Sequence, residues 1–162
     1  LDRQTDEGGW YHSDPSSDSK RKIDNYQIGF ILESLKSINS ILGYKRIQRA
    51  YEHGLDFYGS QLFLKNGAPK FESHHKYPYD IIGSAQGIIS FSHASTIDPA
   101  WLAKAERTAQ WTLSNMWDPS GRFYFQKTGF FIKKYTLMRW CQAWMCYALS
   151  VLTTTSLSSN NG

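Results

Sequence analysis

The sequence predicts an all-α fold made of tandem helical hairpins, and three observations support this prediction. The 162-residue chain is 41% hydrophobic and 20% charged, which is typical of one globular domain. Apolar residues recur every three or four positions over several long segments, as in amphipathic helices. The order of turn, aromatic segment, polar loop and apolar helix also occurs three times, with Gln27, Gln86 and Gln142 near the helix starts.

Five helices are expected, alternating between inner and outer positions. The inner helices, apolar on most sides, are predicted over residues 24–42, 84–94 and 137–152. The outer helices have one apolar face and are predicted over residues 44–62 and 100–117. Gly43 is expected to end the first helix, and Asp98 before Pro99 is expected to cap the fourth.

The remaining segments are predicted to be short and irregular. Residues 121–131 alternate Phe123 and Phe125 before a glycine, so we expect a short β-hairpin there. Residues 1–152 are expected to form about two and a half helical hairpins, and residues 153–162 a polar tail that frays. Because such repeats cannot bury an inner helix alone, we expect a homodimer or a missing N-terminal half.

Composition excludes several classes of function. The net charge of +4 is too small and too scattered to indicate nucleic-acid binding, and the basic run at residues 20–22 is interpreted as a solvated loop. No apolar segment is long enough to span a membrane.

Cys141 and Cys146 are five residues apart on a helix and face different ways, so both are interpreted as free core thiols. Free thiols favour a reducing compartment, and hence the cytoplasm, but otherwise leave the localisation open.

No cofactor or metal is predicted. The chain has no glycine-rich phosphate loop, no paired-cysteine motif and no nucleophile elbow. His74 and His75 lie near Glu72, but adjacent histidines seldom bind one ion together and no second cluster of ligands exists.

Three strings carry a resemblance to a known family. They are DNYQIGFILESL at residues 24–35, YPYDIIGSAQ at residues 77–86 and MRWCQAWMCYAL at residues 138–149. Over residues 8 to 152 the chain resembles the C-terminal part of (α/α) toroid proteins of polysaccharide-biosynthesis clusters, which are similar to uronate epimerases, polysaccharide lyases and six-hairpin glycosidases. The resemblance implies a ring of alternating inner and outer helices. Two positions depart from its pattern, because Gln27 and Ile82 stand where histidines are expected.

The resemblance also implies a site where the inner helices begin. Asp24 and Asp80 are the candidate carboxylates for acid–base work, with Tyr26 as a further catalytic group. N-capping is the structural alternative for both aspartates. The candidate sugar-binding residues are Arg139, Trp140, Trp10, His12 and Gln86, and Asp14 is a further residue for the mouth of the cavity. Arg139 is expected either to bind an anion or to pair with Asp80, and core packing is the alternative for both tryptophans. The recurring glutamines favour a structural role, tying loops to helix ends.

Three functions remain open from the sequence. The first is a carbohydrate-active toroid that hydrolyses, eliminates or epimerises an oligo- or polysaccharide. The second is a non-catalytic helical-repeat module that binds a glycan or a protein, which the two replaced histidines favour. The third is an isoprenoid cyclase-like toroid, but the sequence lacks the aspartate-rich motifs which that chemistry requires.

Overall fold

A computed structural model describes residues 1–13 and 22–160 of the chain. Within these residues it contains five α-helices and confirms the predicted all-α hairpin fold. The helices are α1 (Asn25–Leu42), α2 (Lys45–Gln61), α3 (Ile81–Ala94), α4 (Ala100–Met116) and α5 (Trp144–Asn160). A π-helical segment, Met138–Ala143, leads directly into α5. Asp14, Lys20 and Arg21 lie outside the described residues.

The helices form two layers around α3. Helix α3 contacts α1, α4 and α5, and almost all of its residues are buried. Helices α1, α3 and α5 form the inner layer, while α2 packs on α1 and α4 packs on α3. One buried cluster lies between α1, α2 and α3, and a second between α3, α4 and α5, with Leu152 against both. The predicted alternation of inner and outer helices is therefore confirmed.

Two predicted helix ends are confirmed in detail. Gly43 has a left-handed backbone (φ 64°), and its N–H donates to the Asn39 carbonyl, which ends α1. The Asp98 carboxylate accepts from the backbone N–H of Ala100 at 2.8 Å, as expected for a residue that caps α4.

The short strands differ from the single hairpin predicted at residues 121–131. Strands β1 (Tyr79–Asp80), β4 (Gln126–Lys127) and β5 (Ile132–Lys133) form one antiparallel sheet, in the order β1-β4-β5. Strands β2 (Trp117–Asp118) and β3 (Arg122–Phe123) form another. Gly121 (φ 92°) lies in the turn between β2 and β3. Phe123 therefore pairs with Trp117, the residue that follows α4, and within the predicted segment only Gln126 and Lys127 pair with the later strand β5.

The C-terminal segment also differs from the prediction. Residues 153–160 are not a frayed tail, because α5 continues to Asn160. Serine and threonine hydroxyls along it donate to carbonyls four residues earlier, as Thr153 does to Leu149 at 2.8 Å. Cys141 is buried as predicted, but Cys146 is exposed, since it lies on a face of α5 that no other described element covers. No helix among the described residues is both long and apolar enough for a membrane span.

Two of the three repeated glutamines tie loops to inner helices, as the sequence predicts. Gln27 Oε1 lies 2.6 Å from His12 Nδ1, which joins the N-terminal segment to α1. Gln142 accepts from the Phe123 N–H at 3.1 Å and donates to the Phe123 carbonyl at 3.0 Å. Gln86 instead donates to Ser90 within α3.

Replacing Gln142 is expected to destabilise the fold. Gln142→Met keeps the length of the side chain but removes the acceptor of the Phe123 N–H and one of the two side-chain donors to the Phe123 carbonyl, which retains Thr136. The free energy of unfolding should therefore fall by about 1–3 kcal/mol. Urea denaturation measures the change. Gln110→Met is the matched control, because Gln110 is exposed on α4 and bonds only to Ser114. Equal stability of the two variants would contradict the assigned role.

Candidate functional site

A cleft of about 340 Å³ opens where α3 and the π-helical segment begin. It brings together three predicted site residues, namely Tyr26, Asp80 and Trp140. The complete lining consists of aromatic or aliphatic side chains around one carboxylate and one amide: Tyr26, Phe71, Asp80, Ile82, Phe125, Gln126, Leu137 and Trp140. An apolar cleft with a few convergent polar groups is the usual form of a small-molecule site.

Asp80 is held firmly at the wall of this cleft. Its Oδ1 accepts from the Ile82 N–H at 2.9 Å, which caps α3, and its Oδ2 accepts from Gln126 Nε2 at 2.6 Å. Burial raises the pKa of the Asp80 carboxyl, while Gln126, the Ile82 N–H and the more distant Lys133 ammonium oppose the shift. Asp80 therefore caps α3, as the structural interpretation predicts, and its acid–base role stays a prediction for a carboxyl that lies at the cleft wall.

Strand pairing places Gln126 beside Asp80. The two residues face each other across the β1–β4 ladder, and Gln126 is buried. The amide nitrogen of Gln126 donates to Asp80, and its oxygen accepts from Lys133 Nζ at 2.8 Å. Because Lys133 fixes which end of the amide is the acceptor, the NH₂ group must point at the carboxylate.

Tyr26 lies in the first turn of α1 and also lines the cleft. Its pKa is raised by burial first, and then by the negative charges of Asp24 and Asp80. The phenol is therefore protonated at neutral pH, so its O–H can donate a hydrogen bond.

Asp24 precedes α1 and does not line the cleft. Its side chain makes no capping hydrogen bond to α1, and within residues 1–13 and 22–160 its buried Oδ1 has no hydrogen-bond partner. Burial raises the pKa of Asp24; Glu72 adds to this shift, whereas His12 and the first backbone N–H groups of α1 oppose it. The predicted carboxylate pair thus divides into Asp80 at the cleft wall and Asp24 in a buried position that acts electrostatically on Tyr26.

Trp140 lines the cleft, whereas the predicted sugar-binding residue Arg139 does not line it and contacts Trp140 instead. The Trp140 side chain is 41% exposed, and the Arg139 guanidinium carbon lies 5.2 Å from the centre of its ring. The ion pair considered between Arg139 and Asp80 is not formed. The oxygens of Asp80 are instead bonded to Ile82 and Gln126, and Arg139 is exposed.

The other predicted sugar-binding residues lie away from the cleft lining. Trp10 is buried in the core, with its ring against Gly54. Gln86 is 1% exposed and packs against Gly29 where α3 meets α1. His12 is exposed at the start of α1, near Asp24, and is bonded to Gln27.

The described residues contain no group of three side chains arranged to hold a metal ion. Glu72 lies 3.1 Å from His75 Nδ1 and 3.1 Å from Lys22 Nζ. Its carboxylate thus ties together the loop segments that precede α1 and α3.

Comparisons with known proteins give the fold. No protein-family model matches the chain, and no curated protein matches it significantly. Among solved structures, unsaturated glucuronyl hydrolase from Bacillus sp. GL1 superposes with a TM-score of 0.76 at 15% identity over 94% of this chain and 45% of that one. A GH76 α-mannanase from Bacteroides thetaiotaomicron gives 0.67 at 17% identity, over 94% of this chain and 48% of that one. Cellobiose 2-epimerase from Spirochaeta thermophila gives 0.69 at 12% identity, over 90% of this chain and 41% of that one.

The chain has the fold of part of an (α/α) toroid. It spans less than half of the length of each of these three solved proteins. The predicted fold family is therefore confirmed, with inner helices α1, α3 and α5 and outer helices α2 and α4 as one sector of the ring.

Proposed function

We propose that this toroid sector binds an oligo- or polysaccharide in the cleft, and that Asp80 is the acid–base group of a sugar-processing reaction. One observation carries the proposal: a half-buried, doubly hydrogen-bonded carboxyl with a raised pKa faces a cleft walled by aromatic rings. A raised pKa brings a carboxyl closer to the range in which it can both give and take a proton.

The other cleft residues suit a sugar ligand. The exposed Trp140 face and the Phe125 ring offer flat apolar surfaces for the apolar face of a pyranose ring. The protonated phenol of Tyr26 can donate to a sugar oxygen, and Arg139 above Trp140 can bind a hydroxyl or a carboxylate. The fold is shared with hydrolases and an epimerase that act on carbohydrates, which supports the class by analogy.

The proposed reaction moves a proton between Asp80 and the sugar. In hydrolysis the protonated carboxyl would give its proton to the leaving oxygen, and in elimination or epimerisation the carboxylate would take a ring proton. Tyr26 would donate to the oxygen that gains negative charge. The negative charge of Asp24 adds to the raised pKa of Tyr26, after the larger effect of burial. We place this activity in polysaccharide biosynthesis or modification.

A glycan-binding module without turnover is the second candidate, and one observation favours it. The wall of the cleft carries Ile82, an aliphatic side chain, at a position where the resembled family has a histidine. The cleft would then contribute recognition only, and Asp80 would act as a fixed acceptor for a sugar hydroxyl.

Removal of Trp140 tests the sugar cleft itself. A thermal-shift screen with neutral and uronate oligosaccharides would identify binders, and titration calorimetry would then measure them. Trp140→Ala should raise the dissociation constant of each oligosaccharide that binds by about tenfold or more, because the stacking surface and the cation–π contact with Arg139 are lost together. Trp117→Ala is the matched control, because Trp117 is 39% exposed but lies outside the cleft. Equal effects of both variants, or no binder at all, would overturn the proposal.

A further inference from the structure

A second groove, of about 370 Å³, lies on the outer layer between the end of α2 and α4. We call it the basic groove, after the residues that line it with side-chain donors: Ser60, Lys65, Lys104 and Arg107. None of these residues lines the sugar cleft. The groove contains three cationic side chains and no carboxylate among its lining residues.

Packing positions Lys104 and the backbone beside Arg107. The Lys104 ammonium lies 5.7 Å from the centre of the Phe91 ring and 5.8 Å from that of Trp101, which is within the range of a cation–π contact. Arg107 stands one turn further along α4, where the backbone at Gly67 (φ 91°) packs so closely that a Cβ atom would lie 2.5 Å from the Arg107 carbonyl oxygen. The loop that carries Lys65 is therefore held against α4.

The described part of the chain pairs none of the three cations of the groove with a carboxylate. Lys104 is partly buried, and burial and then the positive charge of Arg107 both lower its pKa. Glu7 and Asp56 line a separate groove that shares Ser60, and neither lines the basic groove.

We propose that the basic groove binds an oxyanion, namely the carboxylate or sulfate of an acidic polysaccharide or a free phosphate group. An oxyanion there would relieve the repulsion between Lys104 and Arg107. It would also accept hydrogen bonds from both cations. The site is separate from the sugar cleft, so it does not depend on the proposed function.

The test is a titration of the full chain with sodium sulfate, sodium phosphate and sodium glucuronate, at low and constant ionic strength. Backbone amide shifts of Gly67, Lys104 and Arg107 should saturate with at least one of these salts. Lys104→Met, which retains the apolar stem on the aromatic rings, and Arg107→Met should each weaken binding by about tenfold. Lys45→Met is the control, because Lys45 is exposed at the opposite end of α2.

Each outcome decides the proposal. Saturation by sulfate and phosphate alone assigns the groove to a dianion, while saturation by glucuronate as well assigns it to the groups of an acidic polysaccharide. Shifts that do not saturate, or an equal loss in Lys45→Met, would show only general attraction of anions and would overturn it. Trp140→Ala should leave the titration unchanged, so failure of the sugar cleft and failure of the basic groove can be distinguished.

Discussion

Asp80→Asn is expected to lower turnover of a glycan substrate by about a hundredfold or more while changing glycan affinity little, because general acid–base groups contribute about that much. The variant keeps an oxygen that can accept from the Ile82 N–H, so the cap of α3 is retained. Its new amide nitrogen would face the Gln126 NH₂ group, so the variant loses that hydrogen bond as well as the ability to exchange a proton. Steady-state assays for hydrolysis, β-elimination and epimerisation measure turnover, and titration calorimetry measures affinity.

The pH profile then assigns the role of Asp80. Its pKa is raised above the ordinary aspartate value, so the wild-type profile should have a limb displaced upwards from that value. A base works in the ionised form, and turnover then falls as the pH drops through the raised pKa. A proton donor works in the protonated form, and turnover then falls as the pH rises through it. Either limb should be absent from the residual activity of Asp80→Asn.

Asp98→Asn is the matched control for this experiment. Asp98 also caps a helix through one carboxylate oxygen, but it lies outside the cleft at the start of α4. Its replacement should leave turnover unchanged. Asp24→Asn is informative as well, because Asp24 does not line the cleft, and a smaller loss than that of Asp80→Asn is expected. Full turnover in Asp80→Asn would exclude the acid–base role, and a glycan that binds but is never turned over by the wild type would favour the binding module.

The helices could be predicted from the sequence because their signals are local. The period of apolar residues, Gly43 and the Asp98–Pro99 pair gave helix bounds close to those of α1, α2 and α4. The C-terminal helix is longer than the sequence predicts, because residues 153–160 are polar and the apolar periodicity ends with Leu152. Their hydroxyls bond to the helix's own backbone, which a hydrophobic pattern does not reveal.

The site could be predicted only in part, because its geometry depends on pairing between distant segments. Asp80, Tyr26 and Trp140 were identified from their positions at the starts of inner helices, and all three line the cleft. Gln126 was missed, since it reaches Asp80 through a strand pair that joins residues 46 positions apart. The local sequence offers little to predict this contact, because it shows only an aromatic segment, residues 123–125, followed by the polar Gln126. Trp10 is the opposite case, since it is predicted to bind sugar but is buried in the core. Its residue type alone cannot distinguish a sugar-stacking surface from a core side chain.

The aromatic cluster under α3 should dominate the stability of this fold, and Phe91→Ala is expected to lower the free energy of unfolding by about 3–5 kcal/mol. Phe91 is fully buried, and its ring centre lies 5.4 Å from that of Tyr58, 4.9 Å from that of Phe63 and 5.5 Å from that of Trp101. The ring therefore joins α3 to both outer helices, and neighbouring rings are too rigid to fill the space it leaves.

A loss of this size is a large part of the stability of a domain, which is about 5–15 kcal/mol in total. Phe130→Ala removes the same atoms from a fully exposed ring, so it should change stability by no more than about 0.5 kcal/mol. Urea denaturation with a common slope compares the two variants. A small effect of Phe91→Ala would mean that the packing between α3 and the outer helices is looser than these distances show. The arrangement of Asp80 at the start of α3 would then lack its rigid support, so the same experiment also bears on the site.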